Sequence, residues 1–307
     1  MTRRLLPVLL AALALAIAGC GLGPGEASKG PVELRVTRDF GQKELAPAAR
    51  KRAIRPSDTV IRFLESTHQV KTRYGGGFVQ SVDGLAGNKS GQHDWFFYVN
   101  GTESSRGAAD AKLSLSDVVQ WDYHRWTGTM QVPAIVGAFP EPFAHGFGGS
   151  RLPTRVECSD AASQACNDTT KALEGQGVIA TGAVLGSSTG EKSLRVIVGP
   201  WNALRDTVSA RLMERGPAQS GVFARFSPAG NLTLLDGNGH VARQAPPGSG
   251  LVAATAGEGG GVVWIVTGTD DAGTQRAVRA LDPDTLRNAF SVAATPAGPV
   301  KLPVGGF

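Results

Sequence analysis

The run closest to a catalytic motif in this sequence is Gly-Ser-Ser-Thr-Gly at residues 186–190. It matches the Gly-x-Ser-x-Gly pattern of hydrolases, in which the serine occupies a sharp turn between a strand and a helix. Here Glu-Lys-Ser and a strand-like run follow, which favours a hairpin loop. Asp206 and His240 are the candidate triad partners of Ser188, but nothing in the sequence positions them. We therefore expect no enzymatic activity and no catalytic residue, with an exported serine hydrolase as the alternative.

Patterns for metal and phosphate binding are equally incomplete. The five histidines (His68, His93, His124, His145 and His240) are scattered without metal-ligand spacing. Thr269-Asp270-Asp271 lacks the alternating oxygen ligands of a calcium loop and predicts a helix cap. The glycine run 257–261 lies between two β-type runs, whereas a phosphate cradle opens a helix. The sequence thus predicts no metal site and a turn at 257–261.

The first twenty residues have the layout of a secretory signal: Arg3 and Arg4, an apolar run over 5–17, and a small-residue exit. The apolar run is too short to span a ~30 Å hydrocarbon core. Ile-Ala-Gly-Cys at 17–20 resembles the lipobox of bacterial lipoproteins, in which the signal is cut before a cysteine that then carries the lipid. The resemblance implies a signal peptide over 1–19, a lipid on Cys20 and a flexible tether over 20–30. It places the protein at a cell membrane, lipid-anchored and exposed outside the cytoplasm; an ordinary signal peptide is the alternative.

The remaining two cysteines, Cys158 and Cys166, form an even pair in a chain expected to be exported, which suggests a disulfide. Eight residues on one continuous helix would separate their Cα atoms by about 12 Å. A disulfide requires roughly 7 Å or less. If the pair is bonded, the helix predicted over 159–173 must start after Cys158 or bend.

Charge and composition limit the remaining classes. The 307 residues, 41% of them hydrophobic, allow two domains with packed cores. The net charge of +5 is mild, and the densest basic run, at 50–55, has no interleaved aromatic residues. We therefore expect no nucleic-acid partner and read this run as a solvated loop, with proximity to anionic lipid headgroups as a variant of that reading. The oligomeric state stays open.

Residues 31–126 predict a small sheet with one helix on it. Alternation at 32–36 indicates a strand, and Pro56-Ser57-Asp58 starts a helix that should end near His68. Trp-Phe-Phe-Tyr-Val at 95–99 is the most β-prone run of the chain, and Asn100-Gly101 after it is a strong hairpin turn signal. Further strands are expected at 78–85 and 118–123.

These residues resemble the transcobalamin C-terminal-like domain family. The resemblance lies in Gly-Phe-Val-x-Ser-Val-x-Gly at 77–84, Trp-Phe-Phe-Tyr-Val-Asn-Gly at 95–101 and Leu-Ser-x-x-Asp-Val-Val-x-Trp-x-Tyr at 113–123. It covers about a third of the chain and implies a β-grasp-like fold. The family usually has Gly-Asp before its last strand, where this chain has Ser116-Asp117. In animal members the domain closes over a cobalamin held by a large helical domain. This chain has no helical periodicity for such a domain. The resemblance therefore supports the fold more strongly than it supports a corrinoid ligand.

The aromatic strand has two interpretations. One face packs on the helix, while the other is exposed and stacks on a planar ligand, or both faces are core. Sequence does not decide which face is exposed. The candidate ligand-binding residues therefore come from both faces and from the neighbouring turns: Gly84, Trp95, Phe97, Tyr98, Asn100 and Gly101.

The rest of the chain resembles no family that we recognise. Residues 127–150 are rich in Pro and Gly and predict a connector on the domain surfaces. Residues 151–307 predict a second α+β domain with mostly antiparallel strands, including helices over 159–173 and 201–214. The fold class is thus α+β throughout.

The leading functional expectation is an extracytoplasmic binding module for a corrinoid or other planar small molecule. A structural lipoprotein that binds envelope polysaccharide or protein is the alternative, and the sequence does not separate the two.

Overall fold

The computed structural model of the chain describes residues 31–45, 50–187, 193–257 and 261–305. The predicted signal peptide, Cys20 and the tether to residue 30 lie outside the described residues, and so does Ser188. Within the described ranges, no helix has the length and apolar character needed to cross a membrane.

The first unit consists of a six-stranded sheet, one α-helix and a small antiparallel sheet. In chain order its elements are β1 (Pro31–Arg38), β2 (Lys43–Glu44), β3 (Arg50–Ala53), α1 (Val60–Glu65), β4 (Val70–Arg73), β5 (Phe78–Val82), β6 (Leu85–Ala86), β7 (His93–Val99), β8 (Thr102–Glu103) and β9 (Val118–Arg125). The larger sheet has the order β2-β1-β9-β7-β8, with β3 also paired to β1. Strands β1 and β9 are parallel and the other pairs antiparallel.

One face of the larger sheet is apolar because side chains alternate along its strands. Val32, Leu34 and Val36 of β1 are buried on this face. Phe63 and Leu64 of α1 belong to the same buried cluster. Each such side chain contributes roughly 1.5–3 kcal/mol when removed from water, so this cluster holds the helix on the sheet.

The turn before β9 contains a serine with a positive φ. Ser116 has a φ of 66°, in the left-handed region that glycine adopts without a Cβ penalty. Asp117 closes the turn by accepting a hydrogen bond from the Ser114 backbone N at 2.7 Å. Ser116 thus adopts a backbone conformation that carries a steric cost for a residue with a Cβ.

The second unit is built on a seven-stranded mixed sheet. In chain order its elements are β10 (Thr154–Cys158), α2 (Gln164–Glu174), β11 (Ala180–Val184), β12 (Leu194–Pro200), α3 (Trp201–Leu204), α4 (Val208–Glu214), α5 (Pro217–Ser220), β13 (Ala224–Phe226), β14 (Leu232–Leu235), β15 (Val241–Gln244), β16 (Gly250–Ala256), β17 (Val262–Gly268), α6 (Asp271–Arg279), α7 (Pro283–Leu286), β18 (Ser291–Thr295) and β19 (Gly298–Leu302). The sheet order is β11-β10-β12-β17-β16-β18-β19, and β13-β14-β15 form a second sheet.

The predicted α+β class is confirmed. Strands β11, β10, β12 and β17 are mutually parallel along the sheet. The pairs from β17 to β19 and those of the small sheet are antiparallel. Parallel neighbours need a crossover connection, and the helix between β10 and β11 supplies one.

Two helix predictions in this unit need correction. The helix predicted over 159–173 begins only at Gln164, where the Ser163 hydroxyl accepts from Cys166 N, and it follows β10, which ends at Cys158. The helix expected over 201–214 is divided into α3 and α4. The division occurs because the Thr207 side chain accepts from Ala210 N and so caps a new helix.

Residues 127–150 do not lie on the surface as expected. Val136, Phe139 and Phe143 are buried in the cluster on one side of the seven-stranded sheet. Val132 and Ile135 are buried in the cluster on the other side. The segment is largely buried because its apolar side chains join both of these clusters, which its Pro and Gly content does not reveal.

The two units pack together along the second face of the six-stranded sheet. Phe40 and Tyr98 of the first unit share a buried cluster with Phe223 and Phe290 of the second. The Phe40 ring centroid lies 4.8 Å from that of Phe223 and 5.2 Å from that of Phe290. We call this contact region the junction.

Candidate functional site

Strand β7, which holds the predicted aromatic contacts, is covered to different degrees on its two faces. Trp95 and Phe97 lie on the side of α1, and Phe96 and Tyr98 face the junction. Trp95 is 6% exposed and Tyr98 1% exposed, whereas Phe97 is half-buried. Of the three predicted aromatic contacts, Phe97 therefore presents the most ring surface.

Tyr98 has a packing position in the junction. Its ring meets Phe290 edge to face at 5.5 Å. Burial raises the pKa of Tyr98 well above its ordinary value, and the carboxylates of Glu103 and Asp122 raise it further. A ligand would reach this ring only if the two units separated.

Asn100 and Gly101 also lie inside the protein rather than on an open turn. The Asn100 amide is fully buried; it donates to Asp117 Oδ1 and Gly146 O and accepts from Val118 N, each at 2.8 Å. Gly101 has a φ of 74°, and a Cβ there would lie 2.6 Å from the carbonyl oxygen of Ile135. The close backbone approach that sequence assigned to a ligand is thus made by residues 127–150.

The junction contains a buried polar cluster that sequence reasoning missed. Asp122 is 0% exposed and accepts from Thr37 Oγ1 at 2.6 Å, Phe40 N at 3.0 Å and Gly41 N at 2.8 Å. His124 Nδ1 lies 2.8 Å from the same carboxylate. These donors offset the cost of burying a carboxylate. These polar side chains alternate with apolar ones along the strand. Such a pattern is typical of a strand with one face toward solvent, so the sequence did not indicate that they are buried.

A row of rings crosses β7 and β9 on the side of α1, and we call it the aromatic row. It consists of His93, Trp95, Phe97, Trp121 and Tyr123. The ring centroids of Phe97 and Trp121 are 4.9 Å apart, those of Trp95 and Tyr123 5.3 Å, and those of His93 and Tyr123 5.6 Å. His93, Phe97 and Tyr123 are partly exposed, so solvent reaches aromatic surface along the row.

The row has polar groups and a glycine turn beside it. Trp95 Nε1 donates to Leu85 O at 2.9 Å, and Tyr123 Oη donates to Ala86 O at 3.0 Å. These bonds hold the row against the turn that contains Gly84. Gly84 is exposed and has a φ of 86°, and a Cβ on it would meet no atom within 4 Å. The structure thus brings Gly84 near Trp95, but places Tyr98, Asn100 and Gly101 in or beside the junction.

The acid next to the row is partly desolvated. Asp94 Oδ1 accepts from Trp95 N at 2.9 Å. Burial raises the pKa of Asp94 above its ordinary value. Burial also raises the pKa of Tyr123, and the Asp94 charge adds to that shift. The row can therefore offer ring faces together with hydrogen-bonding groups at its edge.

The predicted disulfide is confirmed. Cys158 ends β10, Cys166 lies in the first turn of α2, and their Cα atoms are 5.8 Å apart. Because the helix starts after Cys158, the geometric condition set by the sequence is met. The bond fixes the strand-to-helix connection at this edge of the sheet.

The two candidate triad partners of Ser188, Asp206 and His240, each contact a different neighbouring side chain. Asp206 pairs with Arg211 at 3.2 Å, and His240 Nδ1 lies 3.7 Å from Asp236. Asp270 caps α6 by accepting from Gly273 N at 2.7 Å, as predicted. Across the described ranges, no three or more His, Cys, Asp or Glu side chains are grouped so as to hold a metal ion.

A groove of about 610 Å³ lies in the second unit between α2 and β11. Its lining includes Cys166, Lys171, Glu174, Gly182 and Val184. None of the ligand-binding residues predicted from the sequence takes part in it. It is therefore a separate surface feature from the aromatic row.

The family comparison concerns the first unit. Residues 57–125 match the family described as a domain of unknown function (DUF4430). No curated protein matches the chain.

Two solved structures show weak likeness. Haptocorrin in complex with Cbi is 12% identical, with a TM-score of 0.26, over 33% of this chain and 26% of the haptocorrin chain. A Ruminococcus gnavus ATCC 29149 protein whose name proposes metal binding is 14% identical, with a TM-score of 0.24, over 31% of this chain and 96% of that one. Likeness at these TM-scores identifies no ligand for this chain.

Proposed function

We propose that this protein is a non-enzymatic binding module outside the cytoplasm, anchored by a lipid on Cys20, whose aromatic row contacts a planar small molecule. The observation that supports it is the row itself: partly exposed rings lie side by side across two strands next to an exposed glycine turn. Aromatic rings stack on flat ligands, and a glycine lets a ligand approach the backbone.

A corrinoid is the first ligand to test. The support for it is the sequence resemblance of residues 31–126 to the transcobalamin C-terminal-like domains. A corrin ring is flat and large enough to lie across several side chains. The polar groups at the edge of the row, Asp94 and Tyr123 Oη, are positioned to orient such a ring.

The proposed anchoring follows from the N-terminal sequence. The run 5–17 and the Ile-Ala-Gly-Cys that ends at Cys20 support export with lipid attachment. A lipid anchor would hold the first unit, which follows the tether directly, near the membrane surface.

The experiment is a thermal-shift panel on the unlipidated chain from residue 31, which contains all the described elements and buried clusters. The panel contains cyanocobalamin, dicyanocobinamide, a flat heterocycle without a metal, and envelope oligosaccharides. Binding stabilises the fold by RT ln(1 + [L]/Kd), about 2.7 kcal/mol at a hundredfold excess over Kd. We expect stabilisation by a corrinoid.

Two results would contradict the proposal. No stabilisation by any planar compound at millimolar concentration would exclude the proposed ligand class. Stabilisation by the oligosaccharides alone would favour an envelope-binding protein instead. A variant such as His93→Ala, at the exposed end of the row, should reduce the shift if the row is the site.

A further inference from the structure

An exposed aromatic tip lies on the first unit, away from the aromatic row. A 3₁₀ turn over Tyr74–Gly76 joins β4 to β5. Tyr74 is 87% exposed and Phe78, at the start of β5, is 39% exposed. Two rings held in solvent on a short turn leave apolar surface uncovered by the rest of the described chain.

Contacts connect this tip to the start of α1 through the segment 106–113. A Cβ on Gly107 would lie 3.5 Å from Gly77 O, and one on Gly76 would lie 3.9 Å from the Ala109 side chain. Ala108 O accepts from Ile61 N at 3.0 Å. The tip, the segment 106–113 and the start of α1 therefore form one continuous ridge.

Exposed cations lie along the ridge. Arg73 precedes Tyr74 directly, and Arg106, Lys112 and Arg55 lie on the segments that the contacts join; all four side chains are exposed. Asp110 is an exposed acid on the same ridge.

A second acid on the ridge is already engaged. Asp58 is bonded to Arg52 at 3.2 Å and to the Arg55 backbone N at 3.0 Å. Arg52 thus offsets the charge of Asp58, and the four exposed cations named above outnumber the exposed acid Asp110. The ridge thus combines exposed rings with an excess of positive charge.

We propose that this ridge docks on an anionic lipid surface. Aromatic side chains favour the headgroup region of a bilayer, and basic residues are attracted to anionic headgroups. The charge is complementary to such a surface, whereas a neutral small molecule would gain little from the four cations.

The place where the chain enters the first unit agrees with this orientation. Pro31 of β1 pairs with Ala53 of β3, two residues before Arg55, so the described chain begins beside the ridge. The ten residues 21–30 span at most about 35 Å when fully extended. The orientation of the ridge toward the membrane by the tether rests on the proposed lipid on Cys20; the charge and the exposed rings do not depend on that lipid.

The test uses the unlipidated chain from residue 31, so that anchoring and docking are separated. It is sedimented with vesicles of phosphatidylcholine alone and of phosphatidylcholine with roughly 40 mol% phosphatidylglycerol, whose negative surface potential attracts basic residues. We expect binding to the anionic vesicles only, weakened by salt. Arg73→Gln and Arg106→Gln should each reduce partitioning roughly five-fold, and Tyr74→Ala should reduce it without changing the salt dependence.

Matched controls remove the same groups elsewhere. Arg225→Gln and Arg243→Gln remove exposed cations of the second unit, and Val241→Ala removes an apolar side chain that is 58% exposed. These should leave partitioning unchanged. Equal losses in the controls, or equal binding to neutral vesicles, would overturn the proposal. If the protein binds soluble heparin as well as it binds the vesicles, and Tyr74→Ala does not weaken that binding, the ridge is a polyanion site and not a lipid-docking surface. Each outcome is independent of the corrinoid panel.

Discussion

Asn100→Ala is expected to destabilise the folded protein by roughly 4–5 kcal/mol. The fully buried amide makes two hydrogen bonds to backbone groups and one to the Asp117 carboxyl. Neutral bonds contribute about 1 kcal/mol each and a bond to a charged group about 1.5–3 kcal/mol. Alanine must also adopt the φ of 52° that Asn100 has, which asparagine tolerates better.

The assay is urea unfolding at pH 7, followed by tryptophan fluorescence. Asn88→Ala is the matched control, because Asn88 is an exposed asparagine whose Oδ1 accepts only from its neighbours Ser90 and Gly91. The control should lose less than about 1 kcal/mol. An Asn100→Ala protein as stable as the control would refute the assignment of Asn100 to the interior. If that protein also lost cyanocobalamin binding, Asn100 would be a ligand contact after all.

Three further predictions follow from the same structure and sequence. Cys166→Ala should lower the free energy of unfolding by about 2–3 kcal/mol, because the unfolded chain regains the entropy that closing an eight-residue loop removes. Mass spectrometry of the alkylated wild type should find no free thiol at Cys158. Burial raises the pKa of Glu103 from 4.5 to about 7, so the stability it contributes is complete below about pH 4.5 and is lost as the pH rises to about 7. Glu103→Gln should remove that part of the pH dependence of urea unfolding, and an unchanged profile would contradict it. Cys20→Ser should release the protein from the membrane fraction or leave an unlipidated precursor; unchanged lipid labelling would rule out the anchor.

Local patterns predicted the elements of the first unit well. The alternation at 32–36 and the aromatic run at 95–99 both lie in strands, and Asn100-Gly101 forms the turn after β7. These features depend on neighbouring residues, whose spacing fixes the face on which each side chain lies. The disulfide was predicted because Cys158 and Cys166 remain as an even pair once Cys20 is assigned to the lipid, and they lie near each other in sequence.

What covers those faces could not be predicted, because it comes from distant parts of the chain. Gln120 Nε2 donates to Asn288 O, 168 residues later, at 3.1 Å. Ile135 N donates to Gly101 O at 2.8 Å. Such contacts bury strand positions whose alternation of polar and apolar residues is typical of a strand that faces solvent on one side. The partial exposure of Phe97 and the burial of Tyr98 could therefore be known only once the packing of both units was known.

The helix errors have a local cause that was overlooked. Thr207 and Ser163 are both good helix-capping residues, and each caps a helix that begins inside a range predicted to be helical throughout. Leu204, Val208 and Leu212 are spaced four residues apart, as on one face of a single helix, but Val208 is 46% exposed. The capping residue Thr207 thus indicated the start of a new helix more reliably than the apolar spacing indicated one continuous helix.

The most direct test of the proposed binding role compares Phe97→Ala with Tyr98→Ala for cyanocobalamin affinity by equilibrium dialysis and for stability in urea. If the aromatic row binds the ligand, Phe97→Ala should weaken affinity about 2- to 12-fold, the loss of one stacking contact, while it costs the fold less than the ~3–5 kcal/mol expected for a core aromatic. Tyr98→Ala should incur that full cost and leave the affinity of the folded fraction unchanged. Equal losses of stability in both variants, with no selective loss of affinity in Phe97→Ala, would show that β7 is core only and contradict the proposed site.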